Sequence, residues 1–570
     1  MKSNILKIIA AALSVLMLTS CAVLDRVETT AGTTTPVPSP QATEQPVTGG
    51  ELRSVMPAGI ESMDPIKADT RELASMLWLI YESPIRLDEA GKPAPELCES
   101  WEVEADGTWV FRVRENVTWH GGGALTANDI AHSIQRIIGV AAGDTSNTPD
   151  EDDADGDNGD EEALTSGQNG GSKGTASNAP LYKSVAEAIE SYSVRDDMTL
   201  AVKPKTSGYS LLYAMTFPVV PKTAAGLYSG TGPYVVESYE AGGHMRLVVN
   251  DKWWKSRPYI DSIYFTAVKT HDEELMKYSD GEVDMINSSL LHSGRYRGIK
   301  GTTIMDMQSQ VFDYLLPNLN DPILKNILVR QAIASALDKR EIISKAVYSH
   351  AITADSPISA NSWLYNGTAS EFVEHDLMQA QSFLEQAGWT DRNGDPKQLE
   401  AMGTDGKLQT LHLRLLVSEN ADNPIRHEAA YIIADQLERV GFSVEVVAKP
   451  WDEFTLDVQN GNFQLALTGV YLSTMPDFRF MLGSGGDKNV GGYSSPKMDA
   501  VLSSIIEAED ETSFKAAVSE MQLLVNREIP IIGLYFRCNT LVYRNKVRGI
   551  YGLRDIDYTR QVDKWYIVEE

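Results

Sequence analysis

Two stretches of this 570-residue chain are too polar to fold, and they limit where a folded body can lie. Residues 22–50 are rich in Thr, Pro, Gly and Ser, and residues 141–180 are rich in Asp, Gly, Ser and Asn. Segments of this composition cannot bury enough apolar surface to offset the conformational entropy lost on folding. We therefore predict a body that begins at residue 51 and carries a disordered acidic insertion at 141–180.

The N-terminus has the layout of an export signal. A short basic region precedes residues 8–19, which are mostly apolar and too few for a spanning helix, and the run ends in LTSC at 18–21. LTSC resembles the lipobox of bacterial lipoproteins, which implies cleavage before Cys21 and acylation of its thiol. We therefore predict a signal peptide at 1–20, a lipid-anchored tether at 21–50, and a protein that faces outside the cytoplasm at the cell membrane.

Charge and cysteine content exclude several classes of partner. The chain has 79 acidic and 50 basic residues, a formal net charge of −29, which repels nucleic acid. The nine histidines are scattered and no C-x-x-C spacing occurs, so we predict neither a metal site nor a cofactor. We expect Cys98 and Cys538 to be two small buried side chains, although pairing between them stays open.

One motif suggests an enzyme. His120 and the three glycines that follow it spell a sequence that lipases use in the oxyanion hole. No G-x-S-x-G nucleophile elbow follows a predicted strand, however, and His427-Glu428 lacks the second histidine of a zinc hydrolase. Three glycines also permit a tight turn between a strand and a helix. We therefore predict a structural turn and no enzymatic activity.

Periodicity predicts an α/β fold. Residues 107–119 alternate between apolar and polar side chains in the manner of a strand, and Asp106-Gly107 before them predicts a hairpin turn. Residues 325–347 have the spacing of one long amphipathic helix. A strand at 411–417, a helix at 429–441 and a strand at 443–450 form a βαβ pattern. This alternation predicts a partly parallel sheet.

An ordered set of motifs resembles one family. The matching residues in 93–137 are Ser100-Trp101, Asp106-Gly107, Phe111, Arg114, Val117, His120, Gly122 and Leu125-Thr126-Ala127. They resemble the large family 5 solute-binding proteins of ABC importers, a group that includes oligopeptide, dipeptide and nickel binders. Gly121 departs from the pattern, because the family usually has Asp there. Further motifs such as SMDPI (62–66) and GGYSSPKMD (491–499) follow in family order, so the resemblance covers about residues 51–550.

The resemblance implies a three-lobed α/β fold of the periplasmic-binding-protein type (cluster C), with mixed sheets and a cleft that closes about a hinge. The implied lobes are lobe I at 51–88, 222–312 and 536–570, lobe II at 89–221 with the acidic insertion, and lobe III at 313–535. The ligand would lie between lobes I and III, and crossing strands near 311–314 and 534–538 would form the hinge.

The resemblance also implies ligand-binding residues. Residues 465–478 align with the ligand-facing strand of the family, and the implied contacts are Gly469 and Tyr471 on that strand, Asp69 and Arg71 opposite, and pocket walls at Tyr314, Trp451, Tyr493 and Tyr535. In the oligopeptide binders of this family, Trp follows the glycine that corresponds to Gly469, and Asp lies three residues after that Trp. Here Val470 and Ser473 occupy these two positions. Either Asp477 or Asp69 is then expected to pair with the ammonium of a peptide, or the ligand is not an ordinary free-amine peptide.

We therefore predict a monomeric, lipid-anchored receptor that captures peptides and delivers them to the permease and ATPase of an ABC importer. A nickel chelate, an oligosaccharide or another small solute is the alternative cargo, and a peptide or pheromone sensor is the alternative role. A nickel cargo would require a histidine ligand in the cleft, for which His350, His412 and His427 are the candidates.

Overall fold

The computed structural model describes the chain from residue 45 to residue 569 with several short gaps and one long one. The described ranges are 45–60, 62–68, 70–141, 182–206, 208–222, 228–288, 290–392, 394–395, 398–403, 406–419 and 424–569. All sheets lie in the unit that runs from Val47 to Glu570. The predicted signal peptide, Cys21 and nearly all of the acidic insertion lie outside the described residues.

The described residues form strands in most of the places where apolar and polar side chains alternate. The strands are β1 (Glu51–Pro57), β2 (Ile85–Leu87), β3 (Pro93–Pro95), β4 (Cys98–Val103), β5 (Trp109–Val113), β6 (Ile189–Asp196), β7 (Thr199–Pro204), β8 (Tyr234–Glu240), β9 (His244–Val249), β10 (Ser262–Val268), β11 (Met285–Ser288), β12 (Thr302–Pro317), β13 (Ala351–Thr353), β14 (Glu400–Met402), β15 (Leu408–Thr410), β16 (His412–Glu419), β17 (Ser443–Pro450), β18 (Leu465–Tyr471), β19 (Ile532–Arg544), β20 (Val547–Arg548) and β21 (Tyr566–Ile567).

Helices occupy much of the second half of the described chain. The α-helices are α1 (Arg71–Leu77), α2 (Ala127–Ala141), α3 (Lys183–Ala188), α4 (Leu211–Ala214), α5 (His271–Ser279), α6 (Leu290–Ser293), α7 (Ile327–Ala336), α8 (Lys339–Ala346), α9 (Gly367–Ser370), α10 (Leu377–Gln386), α11 (Ile425–Glu438), α12 (Trp451–Gln459), α13 (Arg479–Leu482), α14 (Pro496–Glu507) and α15 (Glu511–Glu528). Turns of 3₁₀-helix lie at Gly294–Tyr296, Glu371–Val373 and Asp555–Lys564.

A mixed sheet of seven strands dominates the described chain. Its order is β11–β19–β12–β18–β16–β17, with β13 paired to β19. Strand β16 runs parallel to β17 and β18, which confirms the predicted βαβ unit, whereas β12 runs antiparallel to β18 and β19. The predicted lobe boundaries at 312/313 and 535/536 fall inside β12 and β19, and the division into lobes stays a prediction.

Two four-stranded sheets complete the frame. One has the order β1–β10–β9–β8, and the other has the order β4–β5–β7–β6. The predicted turn at Asp106-Gly107 joins β4 and β5 as an antiparallel hairpin, and Gly107 has the φ of +81° that favours glycine. Helix α2 packs its buried face, which includes Ile130, Ile134 and Ile137, beside this second sheet.

The predicted continuous helix at 325–347 is wrong, because the chain forms two helices there, α7 and α8. Leu337 between them is extended, and Asp338 accepts hydrogen bonds from two backbone N–H groups in the first turn of α8, at 3.0 and 3.1 Å. A capping aspartate satisfies N–H groups that have no partner within the helix. It therefore starts a new helix even where the apolar spacing continues.

The glycines after His120 form the predicted structural turn. Gly122 and Gly123 have φ values of +89° and +90°, which side chains disfavour. His120 Nε2 lies 3.0 Å from the carbonyl oxygen of Gly232, and the backbone N–H of Gly230 donates to Nδ1 at 3.3 Å. Both ring nitrogens are thus used to fasten the turn, and burial lowers the pKa of His120.

Cys98 and Cys538 are both buried and both free, as we expected. Burial raises the pKa of each thiol above its usual range. None of the described helices has the length and apolar content needed to cross a membrane.

Candidate functional site

Two neighbouring cavities share one wall. The main cavity has a volume of about 280 Å³ and the side cavity about 140 Å³. Six residues line both of them: Leu87, Tyr213, Gln310, Ser473, Thr474 and Ile556. The walls come from segments that are far apart in the chain, which is typical of a ligand site that forms between lobes.

A third cavity is larger but less suited to be a site. It has a volume of about 490 Å³, and all of its lining residues fall within 337–375. Several of its charged side chains already serve the fold, since Asp338 caps α8 and Lys339 pairs with Asp355. We therefore take the main and side cavities as the candidate site.

An irregularity in β12 forms the floor of the main cavity. The pairing of β12 with β19 shifts between Gln308 and Phe312, so that three residues of β12 lie opposite one residue of β19. Ser309 uses its hydroxyl to bond the carbonyl of Arg537 at 2.9 Å, and Gln310 accepts from the backbone of Leu472 at 2.9 Å. Bulges of this kind turn side chains out of the strand register. This one places polar groups in the cavity.

The loop after β13 is tied to this floor by side chains. The Ser359 hydroxyl donates to Gln308 Oε1 at 2.6 Å, and the Asn361 amide donates to the same oxygen at 3.3 Å. All three residues line the main cavity. A ligand here would meet fixed hydroxyl and amide groups.

The opposite wall contains the turn at Leu87–Gly91. Asp88 Oδ1 accepts from the backbone of Ala90 and of Lys92 at 2.9 Å each, which fixes the turn. Trp363 then connects the two walls, since its backbone N–H donates to the carbonyl of Ala90 at 3.1 Å and its indole donates to the Tyr213 hydroxyl at 3.0 Å.

A buried histidine, His350, holds the carboxylate of Asp306 in the main cavity. Asp306 Oδ1 lies 2.6 Å from Nδ1 of His350, and Nε2 of His350 lies 2.8 Å from a guanidinium nitrogen of Arg297. His350 is buried, whereas the Asp306 side chain is 41% exposed. The carboxylate therefore faces the cavity while its imidazole partner is held in the protein.

The side cavity contains the guanidinium group of Arg560, which neighbouring side chains hold in place. The guanidinium of Arg560 lies 3.7 Å from the ring centroid of Trp78, and its Nη1 donates to Glu96 at 2.5 Å. Asp557, which also lines this cavity, lies between Arg554 and Arg560 at 3.4 and 3.6 Å. Stacking and ion pairing together fix the position of Arg560.

Behind Arg560 lies a buried group of charges that we call the wall cluster: Glu82, Glu96, Lys255 and Arg560. Lys255 lies 3.4 Å from Glu82 and 3.1 Å from Glu96. Burial would raise the pKa of Glu96, but Arg560 and Lys255 lower it to about 2. At Glu82 the effect of burial is larger than the opposing effect of Lys255, so the pKa of Glu82 is raised.

A second buried group, the strand-crossing cluster, consists of Asp313, Arg426 and Arg537. The Asp313 carboxylate is fully buried and accepts from Nε of Arg426 at 2.6 Å and from Nε of Arg537 at 2.5 Å. Burial would raise the pKa of Asp313, but the two guanidinium groups lower it. This cluster lines neither cavity.

The structure brings only some of the predicted ligand-binding residues to the cavities. Tyr471 lines the side cavity, and Ser473, the residue at the family Asp position, lines both. Tyr314, Tyr493 and Tyr535 are buried in the core and line neither.

The remaining predicted residues lie elsewhere. Gly469 faces the strand-crossing cluster, where a Cβ would collide with Arg426 and Asp313. Trp451 begins α12 and stacks on Phe454, and Arg71 is the first residue of α1, whereas Asp69 lies outside the described residues. Asp477 pairs with Arg479 at 2.6 Å and does not line either cavity. The roles of all nine residues stay predictions.

Several cavity residues were not predicted, chiefly Asp306, Gln308 and Arg560. Asp306 is one of several polar residues in a run of largely alternating side chains (residues 304–310, IMDMQSQ), and Arg560 lies in an irregular segment near the C-terminus. Neither has a local pattern that distinguishes it from an ordinary surface residue. Within the described ranges, no group of three or more His, Cys, Asp or Glu side chains is placed to hold a metal ion.

Comparison with known proteins identifies a family. The model of the bacterial extracellular solute-binding proteins, family 5 (middle region), matches residues 92–492. The periplasmic oligopeptide-binding protein OppA of Escherichia coli is 23% identical over 535 residues, which are 90% of this chain and 91% of that protein. The oligopeptide-binding protein AppA of Bacillus subtilis is 22% identical over 351 residues, 60% of this chain and 62% of that protein.

The fold has a counterpart among solved structures. The unliganded open form of MppA, a periplasmic murein tripeptide-binding protein, superimposes with a TM-score of 0.74 at 17% identity, and the match covers 92% of this chain and 99% of that one. This likeness confirms the predicted α/β fold of the periplasmic-binding-protein type.

Proposed function

Because the chain belongs to family 5 of the bacterial extracellular solute-binding proteins, we propose that it captures peptides in the main and side cavities and delivers them to the permease of an ABC importer. The chain is a substrate-binding receptor for transport and not an enzyme, and its family is extracytoplasmic. Peptide as the cargo, delivery to a permease and the monomeric state are parts of the proposal.

One observation carries the peptide assignment: the two cavities share a wall, and charged groups of both signs line their unshared parts, with Glu89, Asp306 and Arg554 in the main cavity and Asp557 and Arg560 in the side cavity. Asp306 belongs to the main cavity and Arg560 to the side cavity. Between them lie amide and hydroxyl groups of Gln310, Ser473 and Thr474, which can bond a peptide main chain without selecting its side chains. A zwitterionic chain of a few residues fits this pattern of charges. The names of OppA and AppA as oligopeptide-binding proteins support the same class of cargo.

The proposal includes a lipid anchor at Cys21. Its support is the LTSC sequence after an apolar run and the polar tether that follows it. Globomycin, which blocks the peptidase specific for lipoproteins, should leave an unprocessed form in bacteria that express the chain. Normal processing in its presence, or a mature N-terminus other than residue 21, would contradict the anchor without affecting the cargo.

Native mass spectrometry of the purified protein tests the cargo. We expect a series of bound masses that acid releases and that fragment as peptides. A single non-peptide mass, such as a metal chelate or a sugar, would contradict the peptide assignment and favour the alternative cargo. A protein that contains no bound mass and takes up none from a mixture of di- to pentapeptides would contradict the proposal as well.

A further inference from the structure

A free-amine peptide carries an ammonium group into the cavity. An ammonium removed from water is costly unless a carboxylate and further acceptors surround it. Three acidic residues line the two cavities, namely Glu89, Asp306 and Asp557. The surroundings of these three carboxylates differ, and they favour one of them.

Two of the three are poorly suited. Asp557 already lies between two guanidinium groups, those of Arg554 and Arg560, so its charge is compensated. Glu89 is on the exposed part of its turn and accepts a long hydrogen bond from Gln561, at 3.4 Å. Within the described residues this long bond is the only one that holds the Glu89 carboxylate, so its position is less fixed than that of Asp306.

Asp306 is also exposed, with 41% of its side chain accessible, but it combines a position fixed by His350 with an oxygen that is not engaged. His350 bonds Oδ1, and within the described chain no hydrogen bond is made to Oδ2. We infer that Asp306 is the carboxylate that binds the terminal ammonium of the ligand. This inference rests on the proposed function and adds the residue that fixes the orientation of the peptide.

The support behind Asp306 preserves its negative charge. A guanidinium can only donate, so Nε2 of His350 must accept from Arg297, and the ring proton must then lie on Nδ1 and point to Asp306. A neutral imidazole orients the carboxylate without adding a positive charge next to it. His350 is therefore a positioning residue that acts through Asp306.

Neighbouring acceptors can complete the shell of an ammonium. The Ser359 hydroxyl oxygen and the Asn361 amide oxygen, from the loop after β13, line the same cavity, whereas Gln308 Oε1 already accepts from both of these residues. An ammonium has three donors and needs about three acceptors. One carboxylate oxygen with hydroxyl or amide oxygens on either side supplies them.

The test uses isothermal titration calorimetry of the purified full chain with alanine peptides of two to five residues, free or N-acetylated. We expect the wild type to bind at least one free peptide about 30-fold or more tightly than its acetylated form, the loss typical of an unpaired buried charge. Asp306→Asn should weaken the free peptide by a similar factor and leave the acetylated peptide nearly unchanged. Asp306→Glu, which keeps the charge, should retain part of the preference.

Asp251→Asn is the matched control, because this carboxylate is 75% exposed and pairs with Arg257 at the surface. It should bind like the wild type. His350→Gln should reduce the ratio of free to acetylated affinity by several-fold, an effect that simple loss of stability would not produce.

The outcomes separate the inference from the function on which it rests. If the wild type binds none of these peptides, the proposed function fails, and the inference fails with it. If the wild type binds them but does not distinguish free from acetylated forms, or if Asp306→Asn binds the free peptide unchanged, only the inference is overturned. A loss of binding in Asp477→Asn that is absent in Asp306→Asn would assign the ammonium to the other residue.

Discussion

The strand-crossing cluster and the wall cluster are both buried groups of charges, but their charges are balanced differently. In the first, a single carboxylate, Asp313, serves two guanidinium groups. In the second, two carboxylates face Lys255 and Arg560. The strand-crossing cluster therefore depends on one anion, whereas the wall cluster contains two carboxylates.

The two clusters also differ in their relation to the candidate site. The strand-crossing cluster joins β12, β19 and α11 and lines neither cavity. The wall cluster reaches the side cavity through Arg560. We infer that the first cluster contributes to stability alone and that the second contributes to both stability and ligand binding.

The largest expected effect is that of Asp313→Ala. It leaves two buried guanidinium groups without an anion, which should lower the free energy of unfolding by about 3–5 kcal/mol. Denaturation by urea measures this loss. Asp251→Ala, which removes an exposed carboxylate, should change the same quantity by less than about 1 kcal/mol. Equal losses in the two variants would mean that the buried aspartate has no special role.

Glu96→Gln should have the next largest effect. It removes a charged acceptor from Arg560 and Lys255, so the free energy of unfolding should fall by about 1.5–3 kcal/mol. Since Glu96 holds Arg560 at the side cavity, the variant should also bind trialanine more weakly than Asp313→Asn does, with calorimetry as the measurement. If the order of the two affinities is reversed, the proposed division of roles between the clusters is wrong.

The pH dependence sharpens the comparison within the wall cluster. The pKa of Glu96 is lowered from 4.5 to about 2 in the folded protein, so its stabilising effect is present above pH 4.5 and is lost as the pH falls through 2. The stability difference between wild type and Glu96→Gln should thus be constant above pH 4.5 and should close between pH 4.5 and 2. Thermal melting curves across this range measure it, and a gap that stays constant down to pH 2 would contradict the assignment.

The smallest effect is expected for Glu82→Gln. Burial raises the pKa of Glu82, which shows that the site disfavours its charged form, and an amide oxygen can still accept from Trp254 and Thr231. The free energy of unfolding should change by less than about 1 kcal/mol. A loss as large as that of Glu96→Gln would show that the two carboxylates are equivalent.

Local patterns predicted much of the fold. The turn at Asp106-Gly107, the turn after His120 and the parallel pair β16 and β17 each depend on residues that are close in the sequence. The boundary between α7 and α8 was missed because the apolar spacing continues through Asp338, and capping by this residue outweighs it.

The candidate site was much less predictable, since its walls come from distant segments. A buried aromatic side chain has the same signature in a core and in a pocket, and Tyr314, Tyr493 and Tyr535 proved to lie in the core. The exposure of Asp306 to the cavity depends on the irregular pairing of β12 with β19, which no periodicity reveals. Tertiary geometry therefore decides which polar residues can meet a ligand.

Hydrogen–deuterium exchange with and without a bound peptide tests the central claim most directly. If the main and side cavities hold the ligand, trialanine or a longer alanine peptide should slow exchange in residues 306–310, 357–364 and 471–478, and should leave the third cavity at 337–340 and 367–375 unchanged. Slower exchange confined to the third cavity, with no change at the other three segments, would contradict the account.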